Sequence, residues 1–166
     1  MSIRTFAASI VCGLLAIAVQ PTSAAAATSG LTGSWQFTLT PTNTATPPVQ
    51  YPGLATFTSD GSVIETDGSE FLKSVSTTPI VTVSSPGHGI WELGNTPITY
   101  VVQYISLVLD TDGALYARNI TTMTLSVSST NTFSGSYTTD QVIGSVTKVV
   151  SSGTVSGQLI PHSPLP

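Results

Sequence analysis

The run Ile98-Thr99-Tyr100-Val101-Val102-Gln103-Tyr104-Ile105-Ser106-Leu107-Val108-Leu109 is followed by Asp110-Thr111-Asp112-Gly113 and then by Ala114 to Val127, and this stretch decides the fold. β-Branched and aromatic residues crowd both flanks, while the Asp and Gly residues between them favour turns. The segment therefore predicts two long antiparallel strands joined by a tight connection. Side chains alternate along a strand, so Tyr100, Val102, Tyr104 and Ser106 share one face of the first arm. Tyr116, Arg118, Ile120 and Thr122 share one face of the second.

The same grammar extends in both directions. Downstream, Ser128 to Asn131 turns into Thr132 to Thr139. Val142 to Val150 and Thr154 to Ile160 follow, with Ser151-Ser152-Gly153 read as a turn between them. Upstream, Gly33 to Thr40 alternates, with Trp35, Phe37 and Leu39 on one side. Pro41 to Gln50 is a loop, since prolines remove ladder donors. Leu54 to Thr58 and Ser62 to Thr66 flank Ser59-Asp60-Gly61, a hairpin signal. Asp67 to Ser85 is less regular, with Phe71-Leu72 inside it and a short strand at Val81 to Val83. Gly89 to Leu93 is a further strand.

Consecutive strands with short turns predict an all-β, eight- to nine-stranded antiparallel up-and-down β-barrel, because closure removes exposed edges. A β-sandwich is the alternative, but the turns are too short for many Greek-key crossovers. An eight-stranded barrel holds side chains plus one small ligand. Phe37, Leu39, Phe57, Val102, Ile105, Leu107, Met123 and Phe133 are the expected apolar interior.

Residues 1–27 read as a secretory signal peptide: Arg4, an apolar run from Phe6 to Val19, then Ala24 to Ala27. That run is shorter than the ~20 residues of a membrane span, so the expected location is secreted or periplasmic, with no membrane span. Residues 28–160 are expected to form the barrel and 161–166 a flexible tail. Cys12 is the one cysteine and lies in the signal, so disulfides and thiol chemistry are excluded from the exported chain. Charged residues are only 7% of the chain, and the formal charge of −4 provides no basic footprint for nucleic acid.

Leu31-Thr32-Gly33-Ser34-Trp35 resembles the G-x-W opening of the calycin superfamily, the barrels that include lipocalins and avidins. The resemblance implies that Trp35 closes one barrel end and that Gly33 lets the chain turn into the first strand. Thr111-Asp112-Gly113-Ala114-Leu115-Tyr116 is similar to the lipocalin T-D-x-x-Y pattern but one residue longer. Lys148 and Arg118 are the candidates for that family's cation stacked on the tryptophan. Phe133-Ser134-Gly135-Ser136-Tyr137 has an avidin-like cadence, yet Trp35 and Trp91 are the only tryptophans and cannot line a biotin pocket. Tyr51-Pro52-Gly53, Thr58-Ser59-Asp60-Gly61 and Ser85-Pro86-Gly87-His88-Gly89-Ile90-Trp91 look like small lipocalin-like bacterial proteins of unassigned function. This likeness implies a fold and no particular chemistry.

The residues themselves offer few reactive groups. His88 lies between two glycines and shares a strand face with Ile90 and Glu92. It reads either as a ligand-orienting group at the barrel mouth or as a loop histidine bonded to a neighbouring strand. Arg118 either points inward against Glu65 or Glu92 as a polar anchor or is a solvated strand charge. Asp110 and Asp112 are turn residues. No metal site is expected, since His88 and His162 are the only histidines. Phosphate loops and dinucleotide fingerprints are missing, and no cofactor is expected. The leading expectation is a binder of a small apolar molecule, with Tyr104, Tyr116, Arg118 and His88 contacting it. A cyclase or isomerase working in the same cavity, resembling the allene oxide cyclases, is the alternative. It would use His88, Glu92 and Tyr104 for proton handling. A structural surface module without a ligand is the third reading.

Overall fold

The computed structural model describes residues 30–42, 49–68, 82–128 and 131–161. The expected signal peptide at 1–27, the Phe71-Leu72 stretch and residues 162–166 of the expected tail lie outside the described residues. The chain forms a closed eight-stranded antiparallel β-barrel with one extra two-residue strand. In chain order the strands are β1 (Gly33–Pro41), β2 (Tyr51–Phe57), β3 (Ser62–Asp67), β4 (Val83–Ser84), β5 (Gly87–Leu93), β6 (Thr99–Leu109), β7 (Leu115–Val127), β8 (Thr132–Ile143) and β9 (Val146–Leu159). Around the barrel the order is β6-β5-β3-β2-β1-β9-β8-β7, and β7 pairs back onto β6. With β4 set aside, each strand thus lies beside its sequence neighbours, and β1–β9 is the one seam that joins strands distant in sequence. This is the expected up-and-down barrel rather than a sandwich.

The extra strand is a continuation of β5. Val83 and Ser84 pair with Leu109 and Val108 on the edge of β6 that β5 occupies further along. Pro86 interrupts the ladder because it has no N–H. Ser85 bridges the gap: its N–H donates to Leu107 O at 2.8 Å, and its Oγ accepts from Leu107 N at 2.9 Å.

The 98–127 hairpin forms as its pattern dictates. Tyr100, Val102, Tyr104, Ser106 and Val108 point inward from β6, and Ala117, Thr121, Met123, Leu125 and Val127 point inward from β7. Ile105 and Leu107, expected inside, are each 42% exposed. They sit at odd positions of a strand whose even positions face the lumen, so hydrophobicity misled where parity decides. The three strands expected between 132 and 160 are two long ones. The reversal falls at Gly144-Ser145, with Ile143 opposite Val146. Ser151-Ser152-Gly153 stays in the ladder, paired with β8 on one side and, from Ser152 onward, bonded to the end of β1 on the other.

Packing divides the lumen into two halves. At the end where β1 begins, Leu31 and Trp35 are fully buried, and the Trp35 Nε1 donates to Leu31 O at 2.8 Å. The Trp35 ring leans on Phe133 at 5.1 Å. Trp91 stands edge-on to Phe57 and Tyr100 at 6.5 and 5.8 Å, and its Nε1 donates to Thr58 O at 3.0 Å. Two glycines make room for these rings. A Cβ on Gly53 would lie 2.3 Å from Phe37, and one on Gly157 would lie 2.4 Å from Phe133. Aromatic bulk on one strand is thus matched by an absent side chain on the next, which lets this half of the lumen close up.

Candidate functional site

The described residues do not fill the opposite half of the lumen. It is a cup of about 400 Å³, whereas the apolar half retains a void of only about 10 Å³. The cup lies where β1 and β3 end and β2 and β5 begin, and among the described residues it is open on its outer side. Its size is within the range that accepts a small molecule, roughly 300–1,000 Å³.

Strand β3 supplies its charge. Val63, Glu65 and Asp67 share the inward parity, and Glu65 is only 4% exposed. Each carboxyl group stands opposite a glycine, Glu65 across from Gly87 and Asp67 across from Gly53. A Cβ on Gly87 would come within 2.5 Å of both Glu65 Oε1 and the Tyr104 ring. The glycine therefore lets acid and phenol pack against bare backbone. Glu65 has other interactions, while its buried Oε2 meets no hydrogen-bond donor among the described residues.

Tyrosines and hydroxyls make the remaining wall. Tyr51 enters from β2, Tyr104 from β6 and Tyr137 from β8. The Tyr137 hydroxyl shares a 2.9 Å hydrogen bond with Ser151 Oγ, and Thr121 and Thr139 share one of the same length. Burial holds the Tyr137 phenol above its usual range, and the negative charge of Asp67 adds to this, while the Ser151 bond opposes it. Asn119 accepts from Gln141 Nε2 at 3.2 Å. A register shift in the β8–β9 ladder sets the last wall: Thr139 faces Ser151 and Asp140 faces Val149, so Val150 is the extra residue. Such a bulge bends its strand and redirects side chains, and Val150 and Ser151 both line the cup.

Of the residues singled out from the sequence, Tyr104 is in the cup and Trp35 and Gly33 are at the packed end. His88 and Glu92 are exposed on the outer wall with Ile90, as their common parity requires. His88 lies between Ile64 and Ile105 in the ladder. Tyr116 and Arg118 are exposed as well, and Arg118 lies between Leu107 and Val142. The structure therefore corrects their placement as lumen contacts. It separates His88 and Glu92 from Tyr104 by the thickness of the wall, so the three do not form one acid–base constellation. Arg118 and Glu65 stand on opposite sides of the sheet. Lys148 is exposed on β9. Asp67, Tyr51 and Tyr137 are not singled out as site residues by the sequence, and Glu65 enters there only as a partner for an inward Arg118. Their signal was parity: Glu65 and Asp67 continue the inward face that Val63 begins.

Among the described residues no three His, Cys, Asp or Glu side chains gather closely enough to hold a metal ion, and no helix is long and apolar enough to cross a membrane. No protein-family model, curated protein or solved structure matches the chain.

Proposed function

We propose that this chain is an exported, calycin-type binding barrel that takes a small molecule into the cup between Glu65, Tyr104 and Tyr137. The observation that carries this reading is the contrast within one lumen: about 400 Å³ of space at one end and close packing at the other. Filling a barrel with side chains is the cheaper solution for stability alone, since voids forfeit dispersion and burial. A half that the described residues leave unfilled and line with inward polar groups suits an occupant. The walls alter the expectation of purely apolar cargo. Leu39, Val150 and the tyrosine rings offer carbon surface, but carboxylates and hydroxyls alternate with them. The suited ligand has a hydrocarbon or aromatic body and a polar head.

The test is thermal denaturation of the purified chain against a small-molecule library, with native mass spectrometry of each hit. A ligand at a hundred times its Kd stabilises by about 2.7 kcal/mol, so a clear rise in melting temperature and a one-to-one mass increment are expected. Ser106→Phe, which fills the cup from β6, should abolish both. A library producing neither signal removes the reading.

A further inference from the structure

We propose that the outer wall of β3, β5, β6 and β7 is a docking surface for a second copy of this chain, related to the first by a two-fold axis that passes between Gln103 and Ile105. The inference is independent of the cup and of its occupant.

The outward positions of the barrel are of two kinds. On β8 and β9 they include Ser134, Ser136, Thr138, Thr154, Ser156 and Gln158, the side chains a solvated wall requires. On β3, β5 and β6 the same parity gives Ile64, His88, Ile90, Ile105 and Leu107. Register brings these together. Ile64 lies opposite His88, His88 opposite Ile105, and Ile105 opposite Ile120 of β7. Ile90 and Leu107 sit on the diagonals of that row, still within reach of its side chains. Ile64, Ile90, Ile105 and Leu107 remain 42–64% exposed. Single apolar residues on a surface are ordinary, but a contiguous cluster rimmed by polar side chains marks an interaction site.

Charge placement names the partner. Glu92 stands opposite Val101 and Arg118 opposite Leu107, one strand to either side of β6. Both are exposed, and they are about 20 Å apart along the strand direction. Their midpoint on the outer face falls between Gln103 and Ile105, inside the cluster. A two-fold axis in the contact plane at that point, perpendicular to the line joining the two charges, sets each copy's Arg118 against the other copy's Glu92. It also sets each Ile90 against the other copy's Ile105 and Leu107. Opposite charges at the two ends of an apolar centre suit a partner that carries the same pair reversed, which a second copy supplies. Area agrees. The four strands are 6, 7, 11 and 13 residues long, so their outer face covers roughly 600 Å² at the usual spacing and rise. Two such faces bury about 1,200 Å², the low end for specific interfaces, which fits a dimer of micromolar affinity.

Sedimentation equilibrium of the purified chain, from low micromolar to near-millimolar concentration, should show a monomer–dimer equilibrium. Ile105→Glu places a carboxylate in the apolar centre of the contact and should weaken the dimer by about a hundredfold. Ser136→Glu, on the polar wall, should leave it unchanged. Glu92→Arg and Arg118→Glu each set like charges against each other at both ends of the contact, and each should weaken it by roughly tenfold. Mixed one to one, these two variants should pair with each other at about the parent affinity, because each then presents the charge the other lacks. Circular dichroism melts establish that each variant is folded, and Ile90→Glu serves if Ile105→Glu is not. A monomer at every concentration overturns the proposal. So do dimers that Ile105→Glu leaves intact and charge variants that do not recover on mixing. A monomer that pellets with phosphatidylcholine vesicles overturns it in favour of a lipid contact. A monomer in which a cross-linker at position 105 captures residues 69–81 of the same chain overturns it in favour of that segment.

Discussion

Trp35 carries the packed end of the barrel, and its removal is the sharpest single test of that end. The side chain is fully buried, bonded through Nε1 to Leu31 O and tilted against the Phe133 ring. Trp35→Ala is expected to cost ~3–5 kcal/mol in urea unfolding, and a loss below ~1 kcal/mol would show that the ring does not plug the lumen. Gly53 tests the opposite error. Alanine there meets the Phe37 ring at 2.3 Å, so overpacking of about 1–3 kcal/mol is expected. The double variant Gly53→Ala, Phe37→Leu should recover part of it, a positive coupling readable in a mutant cycle. Tyr137 supplies a pH signature. Its folded pKa lies above the ordinary 10.0 because of burial first and Asp67 second. The folded state therefore holds its proton more tightly than the unfolded state. Its contribution to stability is complete below pH 10 and is lost as pH rises through the folded value. Phenolate absorbance should show a late-titrating step that Tyr137→Phe removes.

Turns separate what sequence alone can show from what it cannot. The β2–β3 connection was readable from Ser59-Asp60-Gly61. The Asp60 carboxyl accepts from Thr58 Oγ1 and from Ser62 N, which holds its pKa below the ordinary 3.8. That contribution is present above pH 3.8 and lost as pH falls through the lower folded value, so Asp60→Asn should flatten the acid limb of the stability profile. The β8–β9 connection was misread. Ser151-Ser152-Gly153 has turn composition, but ladders on both sides outweigh local preference. The true reversal at Gly144-Ser145 has φ +60° at Gly144, as at the first central position of a type II′ turn. Open space surrounds Gly144, so Gly144→Ala isolates the backbone cost and should destabilise by about 1–2 kcal/mol. The cup was obscured for a related reason. Alternation shows which side chains share a face but not which face is inside, so Glu65 enters the sequence reading only as a partner for an inward Arg118 and Asp67 only as the start of an irregular stretch. Only the neighbouring parity of Val63 and the glycines across from both carboxyls point to the lumen, and those cross-strand partners belong to the register.

The closed wall makes the molecule depend on one distant pairing. Seven of the eight seams join strands adjacent in sequence, counting β3–β5, while β1–β9 joins the first to the last. That seam aligns Trp35 with Leu159, and Ile160 N donates to Ser34 O at 2.8 Å. Loop closure of that length is slow to nucleate, so weakening Trp35 should slow folding as well as lower stability if the seam forms in the transition state. Opening the chain at Gly144-Ser145 and joining residue 161 to residue 30 by a short flexible linker should yield a folded permutant. Its far-ultraviolet spectrum should match that of the parent. The same adjacency has a practical sequel. Both strand termini emerge beside Trp35, at the end of the barrel opposite the rim that Leu39, Pro41 and Asp67 line. Immobilising the protein through either end on a sensor chip or resin would therefore present the acid-lined vestibule to the solution, with no need to engineer its orientation.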